Sequence, residues 1–122
     1  MTWLMVFLGG GLGSLCRFGI AAALPTVDLS KGQFPWATLL ANLFACLTLG
    51  ALIALVSKQT LSREQSLFLV TGFCGGFSTF STFSAELLGL YEAGYYTTAA
   101  IYALVSLTAG VLAVLLTLSL LR

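Results

Sequence analysis

Residues Thr71 to Glu86 read TGFCGGFSTFSTFSAE, inside a chain that is otherwise almost continuously apolar. Gly72, Gly75 and Gly76 precede a run of hydroxyls at Ser78, Thr79, Ser81, Thr82 and Ser84. Phe77, Phe80 and Phe83 recur at three-residue intervals, which on a helix places them on one side. Glycine pairs weaken a helix, and hydroxyl side chains take over hydrogen bonds that a broken helix leaves open. In a bilayer such a break survives only where protein buries it or where it lines a wet cavity. The stretch therefore predicts a membrane helix interrupted near Gly75 to Thr79, with the broken backbone as the functional centre. The glycines also support a plainer role, since Gly72 and Gly76 have the Gly-x-x-x-Gly spacing of close helix contacts. Packing does not require aromatics and hydroxyls in strict alternation, and that register favours function.

Bulk composition sets the class. Of 122 residues, 59% are hydrophobic and 7% charged, with a mean hydropathy of +1.05. A soluble domain carries about a quarter charged residues, so this chain cannot cover a water-facing surface and reads as an integral membrane protein. The net charge is +1 with no basic run, which argues against nucleic acid as a partner. There is no histidine, and Cys16, Cys46 and Cys74 sit in apolar stretches without a metal-ligand pattern. Such an odd, buried set reads as packing thiols and not as a disulfide framework.

Working outward, four apolar segments emerge, at about 3–24, 36–57, 65–90 and 97–121, each near the roughly 20 residues that a spanning helix needs. The first lacks the basic opening of a signal peptide and is long enough to span. Pro25 and Pro35 both fall in the first connection, where they end one helix and begin the next. Trp3, Trp36, Tyr91, Tyr95 and Tyr96 lie near the ends, as interfacial anchors should. The connections are short, so neighbours are antiparallel, and residues 1–122 form one transmembrane domain.

The charges bear on topology. Lys58, Arg63 and Arg122 lie on the side that holds both termini; Lys31 lies on the other, with Arg17 if it counts from the first helix. This is a small bias under the positive-inside rule. It is compatible with one orientation, both termini inside, and equally with insertion both ways. Two oppositely inserted copies would then pair about a two-fold axis in the membrane plane.

Few residues inside the spans are polar enough to carry chemistry. Asn42, in mid-helix, either glues helices or faces a polar path. Arg17 is a costly intramembrane guanidinium; it either snorkels to the interface or gathers anions in a wet vestibule. Glu86 has three open roles: pairing with Arg17, capping a wet cavity or carrying a proton. Thr98, Tyr102 and Ser106 recur every four residues with Gly110 in line, so they share a face that would make a donor-lined track opposite the hydroxyl run. These groups are neutral N–H and O–H donors and aromatic rings with electropositive edges. They suit a small, strongly hydrated anion. No nucleophile–base pair, carboxylate pair, phosphate loop or metal box is legible, so nothing points to an enzyme.

The run Gly72-Phe-Cys-Gly-Gly-Phe-Ser-Thr-Phe-Ser-Thr-Phe-Ser84 closely resembles the signature of the Fluc (CrcB) fluoride channels of bacteria. The Gly-Gly-x-Gly-Ser-x-x-Arg run from Gly10 to Arg17 and the Asn42 segment also match, in the same order. The resemblance implies four transmembrane helices with a broken third, assembled in the bacterial inner (cell) membrane as an antiparallel, dual-topology homodimer with two fluoride pores. It implies passive export of cytoplasmic fluoride, which protects the cell from its toxicity. By position, Phe80 and Phe83 would form an aromatic box, and Asn42 would be the pore asparagine. Ser81, Thr82, Tyr102 and Ser106 would make a polar track with Glu86 near it, and Arg17 would lie at the vestibule. A structural sodium ion would sit at the dimer centre on backbone carbonyls of Gly75 and Ser78 from each subunit. A small proton-coupled multidrug exporter is the alternative. That family depends on a first-helix glutamate, where this chain has Arg17 and no acid.

Overall fold

The computed structural model describes residues 1–122 as four helical spans, each long and apolar enough to cross a membrane: Thr2–Ala23, Trp36–Ser57, Arg63–Glu92 and Tyr96–Leu121. We label the first two α1 and α2. The third span divides into α3, residues 63–77, and α4, Phe80–Glu92; the last span, Tyr96–Leu121, is α5. The chain is thus a multi-pass membrane protein with one bent span.

Local chemistry sets the turns. Ser62 opens α3 with a capping box: its hydroxyl accepts from Gln65 N–H at 3.2 Å, and Gln65 Oε1 accepts from Ser62 N–H at 2.9 Å. That cap starts the third span two residues before the apolar run at Gln65. Between α1 and α2, Asp28 Oδ1 caps a short 3₁₀ turn, Leu29–Lys31, by accepting from Ser30 N–H at 3.0 Å. Gly94, at φ 87°, turns α4 into α5.

The break lies inside the predicted stretch, at its far end. Gly75 is helical at φ −64° and ψ −36°. The extended residues are Ser78, at φ −78° and ψ 155°, and Thr79, at φ −146° and ψ 115°. The glycines do not break the helix; they thin it. A Cβ on Gly72 would lie 2.9 Å from Val6 O and 3.0 Å from Gly10 N, and one on Gly76 would collide with Gly10 O. From the other side, a Cβ on Gly9 would meet Phe68 O, and one on Gly13 would lie 2.7 Å from Phe77 N. Facing Gly-x-x-x-Gly pairs therefore let α1 and α3 touch backbone to backbone, the close packing that such spacing permits in membranes.

Leu67–Cys74 is π-helical, a rare geometry with i→i+5 hydrogen bonds that gathers at functional sites. It delivers the chain to the break.

Side by side, α1 packs on α3 while α2 runs along α5, where a Cβ on Gly50 would strike Thr117 Oγ1 and Val114 O. Two small apolar clusters form the core: Leu39, Phe83, Leu90, Ala99 and Tyr102, and then Ala41, Ala45 and Phe77. Only 19 of 122 residues are buried, so most of the apolar surface faces outward, as a lipid-embedded chain requires.

Candidate functional site

The break between α3 and α4 is held by one side chain. Thr79 N–H donates to Asn42 Oδ1 at 2.7 Å, and Asn42 Nδ2 donates to Thr79 O at 3.2 Å. The amide of α2 thus replaces the helical bond that Thr79 N–H has lost and adds a donor to its carbonyl. Thr79 Oγ1 in turn accepts from Thr82 N–H at 3.2 Å, which is N-cap chemistry starting α4, and donates to Thr82 Oγ1 at 3.1 Å.

This rerouting has a cost on the carbonyl side. In an unbroken helix Gly75 O would accept from Thr79 N–H, and Ser78 O from Thr82 N–H. Both donors are diverted, so both carbonyls are released, and both residues are exposed. Hard carbonyl oxygens on exposed backbone fit a hard cation such as sodium.

Two cavities flank the clamp and share Thr79 as a wall. The first, about 210 Å³, is bordered by Asn42, Ser78, Phe80, Phe83 and Ser106, with Cys46 and Gly110 at its far end. The second, about 310 Å³, is bordered by Ser14, Arg17, Thr38 and Thr82. Arg17 is half-buried, and its Nε donates to Gly76 O at 3.2 Å, where Ser14 Oγ also reaches at 3.5 Å. The guanidinium is therefore tied to the α3 backbone and borders the second cavity; it does not snorkel away.

The remaining expected residues divide by position. Phe83 is buried, its ring 5.1 Å from Tyr102 and 5.9 Å from Phe80. Phe80 itself is 77% exposed and looks out of the chain. Tyr102 is fully buried, with Phe34 edge-on at 5.3 Å. The Tyr102 hydroxyl and Ser106 Oγ are buried without any hydrogen-bond partner. Ser81 is exposed, 3.3 Å from Thr79 Oγ1. Glu86 accepts a hydrogen bond from Thr38 Oγ1. It does not pair with Arg17: the one ion pair in the chain is Lys31–Asp28, at 3.8 Å on the surface. Asn42, Phe80, Phe83 and Ser106 thus border one cavity, with Ser78, and Arg17 and Thr82 the other; Ser78 and Phe80 are at the same time exposed, as are Gly75 and Ser81.

Sequence reasoning passed over Thr79, Thr38 and Cys46 as site residues. The signal for the last two was present: they stand four residues before and after Asn42, on the same helix face. Thr79 is one hydroxyl of the run, but its backbone role depends on where α2 lies.

The family profile described as CrcB-like protein, Camphor Resistance (CrcB) matches residues 4–118. A fluoride-specific ion channel FluC of Azobacteroides pseudotrichonymphae genomovar. CFP2 is 42% identical over 113 residues, covering 92% of this chain and 89% of that protein. A protein of the same name from Pyrococcus furiosus is 44% identical over 110 residues, 89% of this chain and 83% of its own length. Another from Thermus thermophilus is 44% identical over 108 residues, 88% and 85% of the two chains.

Proposed function

The chain belongs to the CrcB family, and on that footing we propose that it is a fluoride-selective channel, a passive conductor and not an enzyme, that lets cytoplasmic fluoride leave the cell. The observation that carries the site assignment is Ser106, a buried hydroxyl with no protein partner on the wall of the first cavity. A buried donor without an acceptor costs about 1–3 kcal/mol, and a passing anion is a partner that supplies one. Asn42 has a second N–H that the Thr79 clamp does not use, and Phe83 offers an electropositive ring edge. Fluoride sheds its water against such donors one at a time.

The path runs from the Arg17 cavity, past Thr79 and Thr82, to the cavity of Asn42, Phe83, Phe80 and Ser106. Arg17 raises the local anion concentration at its mouth. Ser81, Glu86 and Tyr102 stand beside this path as further members of the polar track. Two features support assembly as a homodimer: Phe80 is turned outward at 77% exposure, and the released carbonyls of Gly75 and Ser78 lie on exposed backbone. In an antiparallel, dual-topology pair, Gly75 and Ser78 of both copies would hold a sodium ion between the two breaks. The ion would supply fixed positive charge that pins them together. The membrane would be the bacterial inner membrane.

Reconstitution tests the function. Liposomes loaded with fluoride and carrying the purified chain should lose it rapidly, as followed with a fluoride electrode, while chloride stays inside. Intact, well-folded protein that releases neither ion would overturn the proposal.

A further inference from the structure

Glu86 has one hydrogen-bond partner, the hydroxyl of Thr38 in α2. Thr38 is buried and borders the Arg17 cavity together with Thr79 and Thr82. The carboxyl does not border that cavity, yet it holds one of the hydroxyls that does. No cation shares it: Arg17 of α1 is tied to Gly76 O, and Lys31 of the first connection pairs with Asp28 at the surface. α2 carries no charged residue. From α5 the titratable group nearby is Tyr102, which packs with Leu39 and Leu87, the sequence neighbours of Thr38 and Glu86; its hydroxyl has no partner. Glu92, on the same helix as Glu86, is exposed.

A hydroxyl has a single proton to donate, and an ionised carboxylate can only accept. While Glu86 is charged, Thr38 therefore gives its proton to the carboxylate and has only lone pairs left for an ion in the cavity. Once Glu86 is protonated, the bond reverses: the carboxyl O–H donates to Thr38 Oγ1, and the Thr38 proton is free to meet an anion. We propose that Glu86 is a positioning residue for the fluoride path: it sets the direction in which Thr38 donates, and its protonation turns Thr38 from acceptor to donor toward the ion. One proton is taken up from water at Glu86; no other covalent bond forms or breaks. The proposal rests on the fluoride-channel reading.

Fluoride efflux from liposomes should rise as both sides are acidified, after subtraction of protein-free liposomes, which the neutral acid crosses unaided. Glu86→Gln no longer obliges Thr38 to donate to it. At neutral pH that variant should conduct about tenfold faster, the equivalent of about 1.4 kcal/mol and within the worth of one hydrogen bond to a charged group, and its efflux should be flat in pH. In the Thr38→Val background the gain from Glu86→Gln should be lost, with Thr38→Ala as the substitute if the valine variant does not fold. Thr38→Ser should keep the wild-type pH profile. Equal acceleration by Glu86→Gln with and without the Thr38 hydroxyl would mean that the carboxylate acts on the ion by its charge alone, and would overturn the proposal, as would wild-type efflux that is flat in pH. Infrared difference spectra give a readout apart from flux: acidification should raise a carboxyl band that Glu86→Gln removes and Thr38→Val shifts. A band that Thr38→Val leaves unmoved would refute the contact. A folded chain that passes no fluoride fails the channel reading and with it this role for Thr38, while the band still reports whether Glu86 holds the hydroxyl.

Discussion

Replacing Asn42 by Asp keeps the shape of the clamp and removes its donor. Thr79 N–H still finds an oxygen, now carboxylate, in place of the 2.7 Å bond. The second bond, Nδ2 to Thr79 O at 3.2 Å, becomes two acceptors facing each other. An interhelical hydrogen bond in a membrane is worth about 0.6 kcal/mol on average, and an orphaned buried acceptor costs up to about 3 kcal/mol. The variant should therefore lose stability within that range, and Asn42→Leu, which loses both bonds, should lose more. Flux has a different order. A fluoride ion passing about 4 Å from the new carboxylate, at an effective dielectric of about 20, meets about 4 kcal/mol of repulsion. Half of that already slows passage about thirtyfold, at roughly 1.36 kcal/mol per factor of ten. So Asn42→Asp should conduct at least about thirtyfold more slowly while denaturing closer to wild type than Asn42→Leu does. Liposome efflux gives the first quantity, and thermal denaturation followed by size-exclusion fluorescence gives the second. Wild-type flux in Asn42→Asp would refute the placement of Asn42 on the path; equal melting of wild type and Asn42→Leu would refute the clamp.

Phe80→Ile and Phe83→Ile should both slow fluoride efflux, since each keeps bulk and removes an electropositive edge. Phe83→Ile should also lower the melting temperature, because the ring contact with Tyr102 is worth about 0.5–1.5 kcal/mol; unchanged flux in both variants would exclude the aromatic role. Ser106→Ala should hold or raise thermal stability, since its hydroxyl has no protein partner to lose and removing an unpaired buried donor relieves its cost, yet reduce efflux. A clear loss of stability there would mean that the hydroxyl is structural. Gly9→Ala and Gly13→Ala should destabilise by about 1–3 kcal/mol as overpacked contacts, whereas Gly11→Ala and Gly19→Ala, whose added Cβ meets nothing within 4 Å, should be neutral in the same melting assay.

The four spans were legible because a bilayer leaves a chain few alternatives: about 20 apolar residues must form a helix or stay out. The break was legible to within a few residues, from hydroxyls crowded behind glycines, but its cause was not. Gly75 and Gly76 look like helix breakers in sequence, yet Gly76 is small because Gly10 lies against it, and a Cβ on Gly75 would meet nothing within 4 Å. The extended pair is Ser78–Thr79 because Asn42, from another span, offers its backbone better bonds than the helix does. The π-helical stretch Leu67–Cys74 carries no residue signature, since its register depends on what α1 and α2 press against. Asn42 taken alone reads more readily as helix glue than as a path residue, and the structure gives it both positions: clamped to Thr79 and bordering a cavity.

Thr79 leaves nothing spare. Its N–H and C=O are held by Asn42, its hydroxyl starts α4, and its side chain divides the two cavities. Throughput and architecture are therefore not separate traits at this position: a lineage that alters one inherits a change in the other. Adjustment without that penalty is open only to residues that contribute a side chain and no scaffold bond, such as Ser106 and Cys46. On the proposed path the adaptable part is the lining, and the immovable part is the break.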